Sequence, residues 1–235
     1  MSNIKITCSV NAGLSVACDD FKLLVDPFPA IPAGGFSALS EEMLKDAFAC
    51  GAFREPDLIF ITHDHPDHYD ARTMAQYLNR WSEAKIVMPD CPFFGGVSLA
   101  GECSMTCGNA SLRFFPLYHQ DEKYADVAHY GLLCNINGRT LLFTGDGIVA
   151  DEALKTVLSD ISVDIAVLPF PWVTLRRGIA FIDHVISPQH IVINHLPLPQ
   201  DDTYNYGKMA KRYCHSVSCT PDLRIMDQFL KTEIL

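Results

Sequence analysis

The sequence has no excess of positive charge, no long apolar run and no closely paired cysteines. Its 18 Lys and Arg against 28 Asp and Glu give a formal net charge of -10 at pH 7, which disfavours attraction to nucleic-acid phosphates and anionic membranes. No apolar stretch approaches the roughly 20 residues that span a bilayer, and the amino terminus lacks the charged-then-apolar pattern of a signal peptide. We therefore expect a cytoplasmic protein with a small-molecule substrate and no nucleic-acid or membrane partner.

The nine cysteines form no C-x-x-C motif, and their odd number argues against a disulfide framework. Reduced, buried thiols are the simpler interpretation. Cys103 and Cys107 have a C-x-x-x-C spacing, which is only a weak indication of metal binding or pairing. We assign these cysteines no function.

The composition, with 49% hydrophobic and 20% charged residues, is that of a globular protein, and short β-rich runs alternate with helical patterns. No repeat, low-complexity segment or flexible linker interrupts them, so we expect one domain over residues 1–235. Ser40 and Asp70 are predicted to begin helices, and "DLIFIT" is predicted to be a buried strand. Residues 168–178 and 196–207 are predicted to be Pro-rich loops, and Tyr206 opens a helical stripe.

The stretch "ITHDHPDHYD" (residues 61–70) carries three histidines and two aspartates within six positions, directly after the predicted strand. Imidazole and carboxylate groups are ligands of borderline divalent metals such as Zn²⁺. Any one of these histidines alone is more often a surface or hydrogen-bonded residue, and Asp67 or Asp70 alone is a candidate helix cap. So many polar groups beside a buried strand indicate a metal site formed by His63, His65, Asp67 and His68.

The motif "THDHPDH" resembles the H-x-H-x-D-H signature of the metallo-β-lactamase superfamily, and the resemblance extends over nearly the whole chain. A strand ending in "LLVDP", which includes Asp26, precedes the motif as it does in that family. A histidine, a Gly-Asp and a final histidine follow in the family's order, at His119, Asp146 and His195. The resemblance implies a four-layer αββα sandwich, in which two mixed β-sheets pack together and helices cover their outer faces.

The resemblance also implies two divalent metal ions, with Zn²⁺ foremost and Mn²⁺ or Fe²⁺ as alternatives. It assigns one metal to His63, His65 and His119 and the other to Asp67, His68 and His195, with Asp146 bridging. In such a site a hydroxide between the metals attacks the substrate, and Asp67 is the catalytic residue that orients it. Asp26 is expected either to hold a ligand histidine in place or to be an ordinary turn residue.

Four other histidines and two threonines are further candidates for roles at the metal site. His129 is an alternative to His119, although it opens a predicted strand. His184, His190 and His215 are expected to be ordinary surface residues. Thr62 and Thr144 are equally well explained as β-formers and as hydrogen-bond donors to ligands.

Three classes of function fit these residues. The leading one is a binuclear metal-dependent hydrolase that acts on a lactone, phosphodiester, amide or thioester, similar to compact lactonases of the ascorbate-6-phosphate type. A non-haem iron dioxygenase or oxidoreductase on the same fold is the alternative, although the oxygen-reducing diiron pattern has a glutamate where His65 stands. The third is a metal-binding protein without turnover.

The loop "LPFPWVTLRRG" suggests the charge of the substrate. Trp172 is expected to form an apolar wall of the site, and Arg176 or Arg177 to bind an anionic group through the planar guanidinium. The competing interpretation is a pair of solvated arginines at a helix start. We expect a small, anionic substrate, and the sequence leaves a homo-oligomer open.

Overall fold

The computed structural model describes residues 3–219 and 222–235, and over these residues the chain forms fourteen strands and six α-helices. The strands are β1 Ile4–Cys8, β2 Leu14–Cys18, β3 Phe21–Val25, β4 Leu58–Phe60, β5 Lys85–Pro89, β6 Val97–Leu99, β7 Cys103–Cys107, β8 Ala110–Pro116, β9 Tyr130–Ile136, β10 Arg139–Phe143, β11 Ile165–Pro169, β12 His190–Asn194, β13 Leu223–Ile225 and β14 Thr232–Ile234. The helices are α1 Glu41–Ala49, α2 Ala71–Arg80, α3 Glu152–Val157, α4 Pro171–Thr174, α5 Arg176–Phe181 and α6 Tyr206–Tyr213.

The strands form two mixed sheets of seven strands each. Their orders are β14-β1-β2-β3-β4-β5-β6 and β13-β12-β11-β10-β9-β8-β7. In the first sheet, β1, β2 and β3 form an antiparallel meander and β3 to β6 are parallel. In the second sheet, β7 to β10 are antiparallel and β10 to β13 are parallel. Parallel neighbours end at the same edge, so the loops that follow them meet there.

The two sheets pack face to face, and helices cover their outer faces. The shared core contains inward-facing apolar residues of both sheets, such as Val16 and Phe60 from the first and Phe114 and Val167 from the second. A second cluster joins the first sheet to α1 and α2, and a third joins the second sheet to α3 to α6. This arrangement confirms the four-layer αββα sandwich, because each sheet is apolar on both faces and must bury both.

Local signals in the sequence predicted the first two helices well. Ser40 and Asp70 cap α1 and α2, since each side chain accepts the backbone N–H three residues on, at 3.2 and 2.6 Å. The expectation of a loop over residues 168–178 was wrong, because α4 and α5 form there. Proline at the first position of α4 suits a helix start, where its missing N–H costs nothing.

The described residues include all nine cysteines, and none of them forms a disulfide, as expected from their spacing. Burial raises the pKa of the Cys8 and Cys134 thiols to about 12, which makes them unreactive. Within the described ranges, no helix has the length and apolar character needed to cross a lipid bilayer.

Candidate metal centre

Seven histidine and aspartate side chains gather at one edge of the sandwich, where the strands β4, β8, β10 and β12 end. The loop after β4 supplies four of them, and the loops after β8, β10 and β12 supply one each. They form an imidazole group of His63, His65 and His119 and a mixed group of Asp67, His68, Asp146 and His195. Within each group, the candidate ligand atoms lie within 4.8 Å of one another.

The imidazole group consists of neutral rings. Nε2 of His63 lies 3.0 Å from Nδ1 of His65, and the His119 ring centroid lies 4.8 Å from that of His65. Burial lowers the pKa of all three histidines, most strongly for the fully buried His63. At neutral pH these rings therefore carry free lone pairs.

The mixed group is tightly connected and charged. Nε2 of His195 lies 3.1 Å from both Nε2 of His68 and Oδ2 of Asp67. Burial alone would raise the pKa of Asp146, but electrostatic interactions with the neighbouring rings of His195 and His68 lower it well below the usual range. Burial would likewise lower the pKa of His68, but the carboxylates of Asp146 and Asp26 raise it well above normal. Both carboxylates of this group are therefore ionised.

Asp146 lies between the two groups. Its Oδ2 is 3.3 Å from Nε2 of His68 and 3.8 Å from Nε2 of His119. The rings of His63 and His68 are also adjacent, with centroids 4.1 Å apart. The carboxylate of Asp146 is the group best placed to be shared by two cations.

This donor set fits divalent metal ions. Because Nδ1 of His63 donates to Thr62, Nε2 of His63 carries a lone pair, and it lies 3.0 Å from Nδ1 of His65, so both nitrogens can bind one cation. The buried atoms Nε2 of His119 and Oδ1 of Asp146 have no hydrogen-bond partner, and a cation would satisfy both. Nδ1 of His119 lies 3.2 Å from the backbone N–H of Asp121, so metal binding through Nε2 requires the ring proton to move to Nδ1 and this contact to be released.

Asp26 and Thr62 hold two of the histidines in place. Nδ1 of His68 lies 2.9 Å from Oδ2 of Asp26, which also accepts the Thr62 hydroxyl at 2.8 Å. The Thr62 oxygen is then free to accept from Nδ1 of His63 at 2.9 Å. Both rings are thereby oriented with Nε2 toward the site, and the structure assigns Thr62 a hydrogen-bonding role that the sequence left open.

Asn11, in the β1–β2 turn, links three loops of the site. The side-chain NH₂ of Asn11 donates to the backbone carbonyls of Ser37 and Asp67, at 2.7 and 3.2 Å. The backbone carbonyl of Asn11 accepts the His195 backbone N–H at 2.9 Å. Asn11 is fully buried, so it couples the first sheet to the end of β12. Sequence reasoning missed this residue, since "NAG" is also an ordinary turn sequence.

Three residues at this edge have a strained backbone. Asn11, Asp26 and His195 have left-handed φ values of 52°, 45° and 55°, which cost non-glycine residues about 1–3 kcal/mol each. Gly145 has φ +48°, and a Cβ there would lie 2.6 Å from Nε2 of His129. The "TGD" turn therefore needs glycine to bring Asp146 to the site.

His129 is buried beside the imidazole group but is not part of it. Its ring centroid lies 5.1 Å from that of His63, and burial lowers its pKa to about 3. Nδ1 of His129 lies 3.3 Å from the backbone carbonyl of Leu117. His184 and His215 are exposed, and His190 is ion-paired with Asp222, far from the candidate ligands in the fold.

A cavity of about 690 Å³ lies over both groups. The expectation for residues 172–177 requires correction, because Trp172 is fully buried and neither it nor Arg176 nor Arg177 lines the cavity. The short helix α4 turns Trp172 into the apolar cluster under α5, where its ring packs against Phe181 with centroids 5.6 Å apart. Both arginines are exposed at the start of α5. The competing interpretation, solvated arginines at a helix start, therefore describes their position.

Several residues that line the cavity were not identified from the sequence. They include four aromatic residues, Phe36, Tyr124, Phe170 and Tyr206. The ring of Tyr124 lies 4.3 Å from that of His65. The sequence predicts Tyr206 only as part of a helical stripe. Its place in the cavity lining depends on where the first turn of α6 lies in the fold, which the stripe does not show.

The arrangement has relatives among known proteins. The family model for the β-lactamase superfamily domain matches residues 6–171, which is more than half of the chain and includes six of the seven candidate ligands. The chain belongs to the metallo-β-lactamase superfamily. His195 lies beyond the matched residues. No curated protein matches the chain.

Solved structures share the fold along nearly the whole chain. The metallo-hydrolase Igni18 from Ignicoccus hospitalis aligns with a TM-score of 0.71 and 16% identity, over 99% of this chain and 98% of its own. The metallo-β-lactamase fold protein YhfI from Bacillus subtilis gives 0.68 and 15%, over 100% of both chains. CmlA from Streptomyces venezuelae, a diiron β-hydroxylase, gives 0.64 and 14%, over 99% of this chain and 54% of its own. Family and ligand groups together support a metal-dependent hydrolase.

Proposed function

We propose that the protein is a binuclear metal-dependent hydrolase that cleaves an ester, lactone, amide, thioester or phosphodiester bond in a small molecule. One observation carries the proposal: two separate ligand groups adjoin each other under a single cavity, with the Asp146 carboxylate between them. The volume of this cavity, about 690 Å³, lies in the range of small-molecule sites. This substrate class includes lactones, as the sequence resemblance suggests.

In this proposal the imidazole group would hold one divalent ion, the mixed group would hold the second, and Asp146 would be shared by both. When bound, such ions lower the pKa of water from 15.7 to about 7 and polarise the oxygen of the bond under attack. Neutral histidines suit Zn²⁺ as well as Fe²⁺, so the donors leave the metal to be measured.

Asp67 is the residue that we propose to orient water. Its carboxylate lines the cavity and is fixed by Nε2 of His195 at 3.1 Å. Although burial opposes ionisation, that hydrogen bond and the charge of His68 lower the pKa of Asp67, so the carboxylate is ionised at neutral pH and can orient a water molecule by accepting a hydrogen bond from it. The water hydroxyl then adds to the acyl or phosphoryl centre, the bond to the leaving group breaks, and the leaving group takes the proton.

This proposal does not include the negative charge that the sequence predicts for the substrate. Arg176 and Arg177 were the residues expected to bind an anionic group, and neither lines the cavity. Lys123 does line it, but Nζ of Lys123 lies 3.0 Å from Oδ2 of Asp121 and 4.5 Å from the Tyr124 ring centroid. A substrate anion would have to compete with that carboxylate.

A substrate panel tests the proposal. Purified full-length protein, loaded with two equivalents of Zn²⁺ or Mn²⁺, is assayed against lactones, phosphodiesters, thioesters, amides and β-lactams. We expect turnover of at least one class, which is lost in the metal-free protein and in Asp67→Asn and retained in the exposed control Asp64→Asn. Absence of turnover across the panel with both metals bound would contradict the proposal.

An iron-dependent oxidoreductase is the second candidate, favoured by the structural likeness to the diiron hydroxylase. Elemental analysis distinguishes the two. Protein expressed without added metal that retains iron, and that consumes O₂ but hydrolyses none of the panel, would replace the hydrolase proposal with this one.

A further inference from the structure

Three half-buried aromatic residues form one side of the cavity, and we call Phe36, Phe170 and Tyr206 the aromatic wall. They come from three distant segments: the loop after β3, the end of β11 and the start of α6. Aromatic side chains of a core would be fully buried, as Trp172 is. These three remain partly open toward the same space as the candidate ligands.

The rings of the wall share a common orientation. Phe170 and Tyr206 stack with centroids 4.4 Å apart and an interplanar angle of 24°, and Phe36 lies 6.0 Å from Tyr206 at 29°. The wall reaches the mixed group, since the Phe36 ring lies 4.3 Å from that of His195 at 33°. The rings thus form a column that ends at His195, and a flat group that packs against this column would also lie beside the candidate metal ligands.

The wall is held in place from behind. Gly35 has φ +93°, and a Cβ there would lie 2.5 Å from the Tyr204 ring, which stacks on Tyr206 at 5.4 Å. The backbone N–H of Tyr206 donates to Oδ1 of Asp202 at 2.8 Å. Fixed rings lose little conformational entropy on binding, which favours a ligand that stacks on them.

The chemistry of the cavity points to an uncharged ring. Besides the wall and the candidate ligands, the lining includes the apolar residues Pro32, Ala33, Val149, Pro169 and Pro171, and its lysine, Lys123, is paired with Asp121. Aromatic pairs prefer centroid distances of about 4.5–7 Å, in stacked or edge-on arrangements. We propose that the substrate carries a flat, uncharged aromatic or conjugated group that packs, stacked or edge-on, against the aromatic wall. This rests on the proposed function, because it describes the substrate of the same cavity.

A matched pair of non-reacting probes tests the inference. Naphthalene-2-carboxamide is flat, and its fully hydrogenated analogue decahydronaphthalene-2-carboxamide has a similar volume but no aromatic face. Dissociation constants are measured by calorimetry or ligand-observed NMR on full-length protein, both metal-free and Zn²⁺-loaded. We expect the flat probe to bind about threefold to tenfold more tightly than the saturated one.

Variants localise the effect. The double variant Phe36→Leu, Phe170→Leu is expected to lose the preference for the flat probe, while Phe170→Tyr, which keeps the ring, retains it. Phe94→Leu is the matched control, because Phe94 is fully exposed and outside the cavity lining. Circular dichroism and thermal unfolding check that each variant folds.

Equal affinities for the two probes, binding of neither, or a preference that survives the double variant would each overturn the inference. Since binding requires no turnover, its failure is distinguishable from failure of the hydrolase proposal. Flat-probe preference without hydrolysis of any panel substrate would support the aromatic subsite and contradict the enzyme proposal.

Discussion

The two ligand groups of the candidate metal centre differ in charge and in how the fold assembles them. The imidazole group has three neutral histidines, and burial lowers their pKa values. The mixed group has two ionised carboxylates, and its histidines make close contacts with them. The first group therefore offers lone pairs, whereas the second offers negative charge.

This difference indicates how each group would hold a cation. Neutral imidazoles bind through covalent character and give selectivity for borderline metals. Carboxylates attract any divalent cation and compensate the cost of burying it. The mixed group also depends more on tertiary structure, because His195 is joined to the β1–β2 turn through Asn11.

The largest effect is expected for Asp146→Ala, which removes the carboxylate between the groups. Both coordination spheres would be disturbed, and two cations would face each other without a shared anion. We expect metal content to fall below one ion per chain and hydrolysis to fall by more than about 100-fold. Asp160→Ala is the exposed control, and an Asp146→Ala protein with two metals and wild-type turnover would refute the shared role.

The next effect separates His119 from His129. His119→Ala should remove the metal of the imidazole group and leave about one ion per chain by elemental analysis. His129→Ala should keep both ions, although the loss of a buried ring lowers thermal stability. The reverse pattern of metal content would move the ligand to His129.

A smaller effect is expected for Asp26→Asn, which weakens the acceptor of the His68 Nδ1 hydrogen bond. Metal affinity of the mixed group should fall about 10- to 100-fold, while the imidazole group keeps its affinity. Competition titration with a chromophoric chelator measures both steps, and Asp64→Asn is the control on the same loop. An equal loss at both steps would show that Asp26 supports the whole edge rather than one group.

The smallest effect is the pH dependence of stability that comes from the neutral, buried ring of His129 beside the imidazole group. His129 has a pKa of about 3 when folded and of about 6.5 when unfolded, so its contribution to stability is fully present above pH 6.5 and is lost as the pH falls toward 3. Between pH 7 and pH 5, metal-free wild type should lose about 2 kcal/mol more stability than His129→Gln. Urea unfolding at the two pH values measures this, and parallel losses would contradict a neutral buried ring.

Sequence reasoning predicted much of the fold and the order of the candidate ligands. The cap residues Ser40 and Asp70 and the run of "DLIFIT" are local signals, so they could be interpreted without tertiary information. The seven ligands were identified through the order of motifs along the chain, and the structure brings all seven together. The single domain, the cytoplasmic location, the absence of nucleic-acid and membrane partners and the oligomeric state stay predictions.

What could not be predicted depends on the direction in which side chains point. Trp172 and Phe170 lie in the same Pro-rich stretch, yet α4 turns the first into the core and leaves the second at the cavity. Arg176 and Arg177, which follow α4, are exposed to solvent at the start of α5. Asn11 acts across 56 positions in sequence on the Asp67 carbonyl, and no local pattern marks such a contact.

Metal titration of the metal-free protein tests the central claim most directly. Zn²⁺ is added in steps, and bound metal and hydrolysis of the best panel substrate are followed together. The account predicts that binding saturates at two ions per chain and that hydrolysis reaches its plateau only with the second. Saturation at one ion per chain, or full hydrolysis without bound metal, would contradict it.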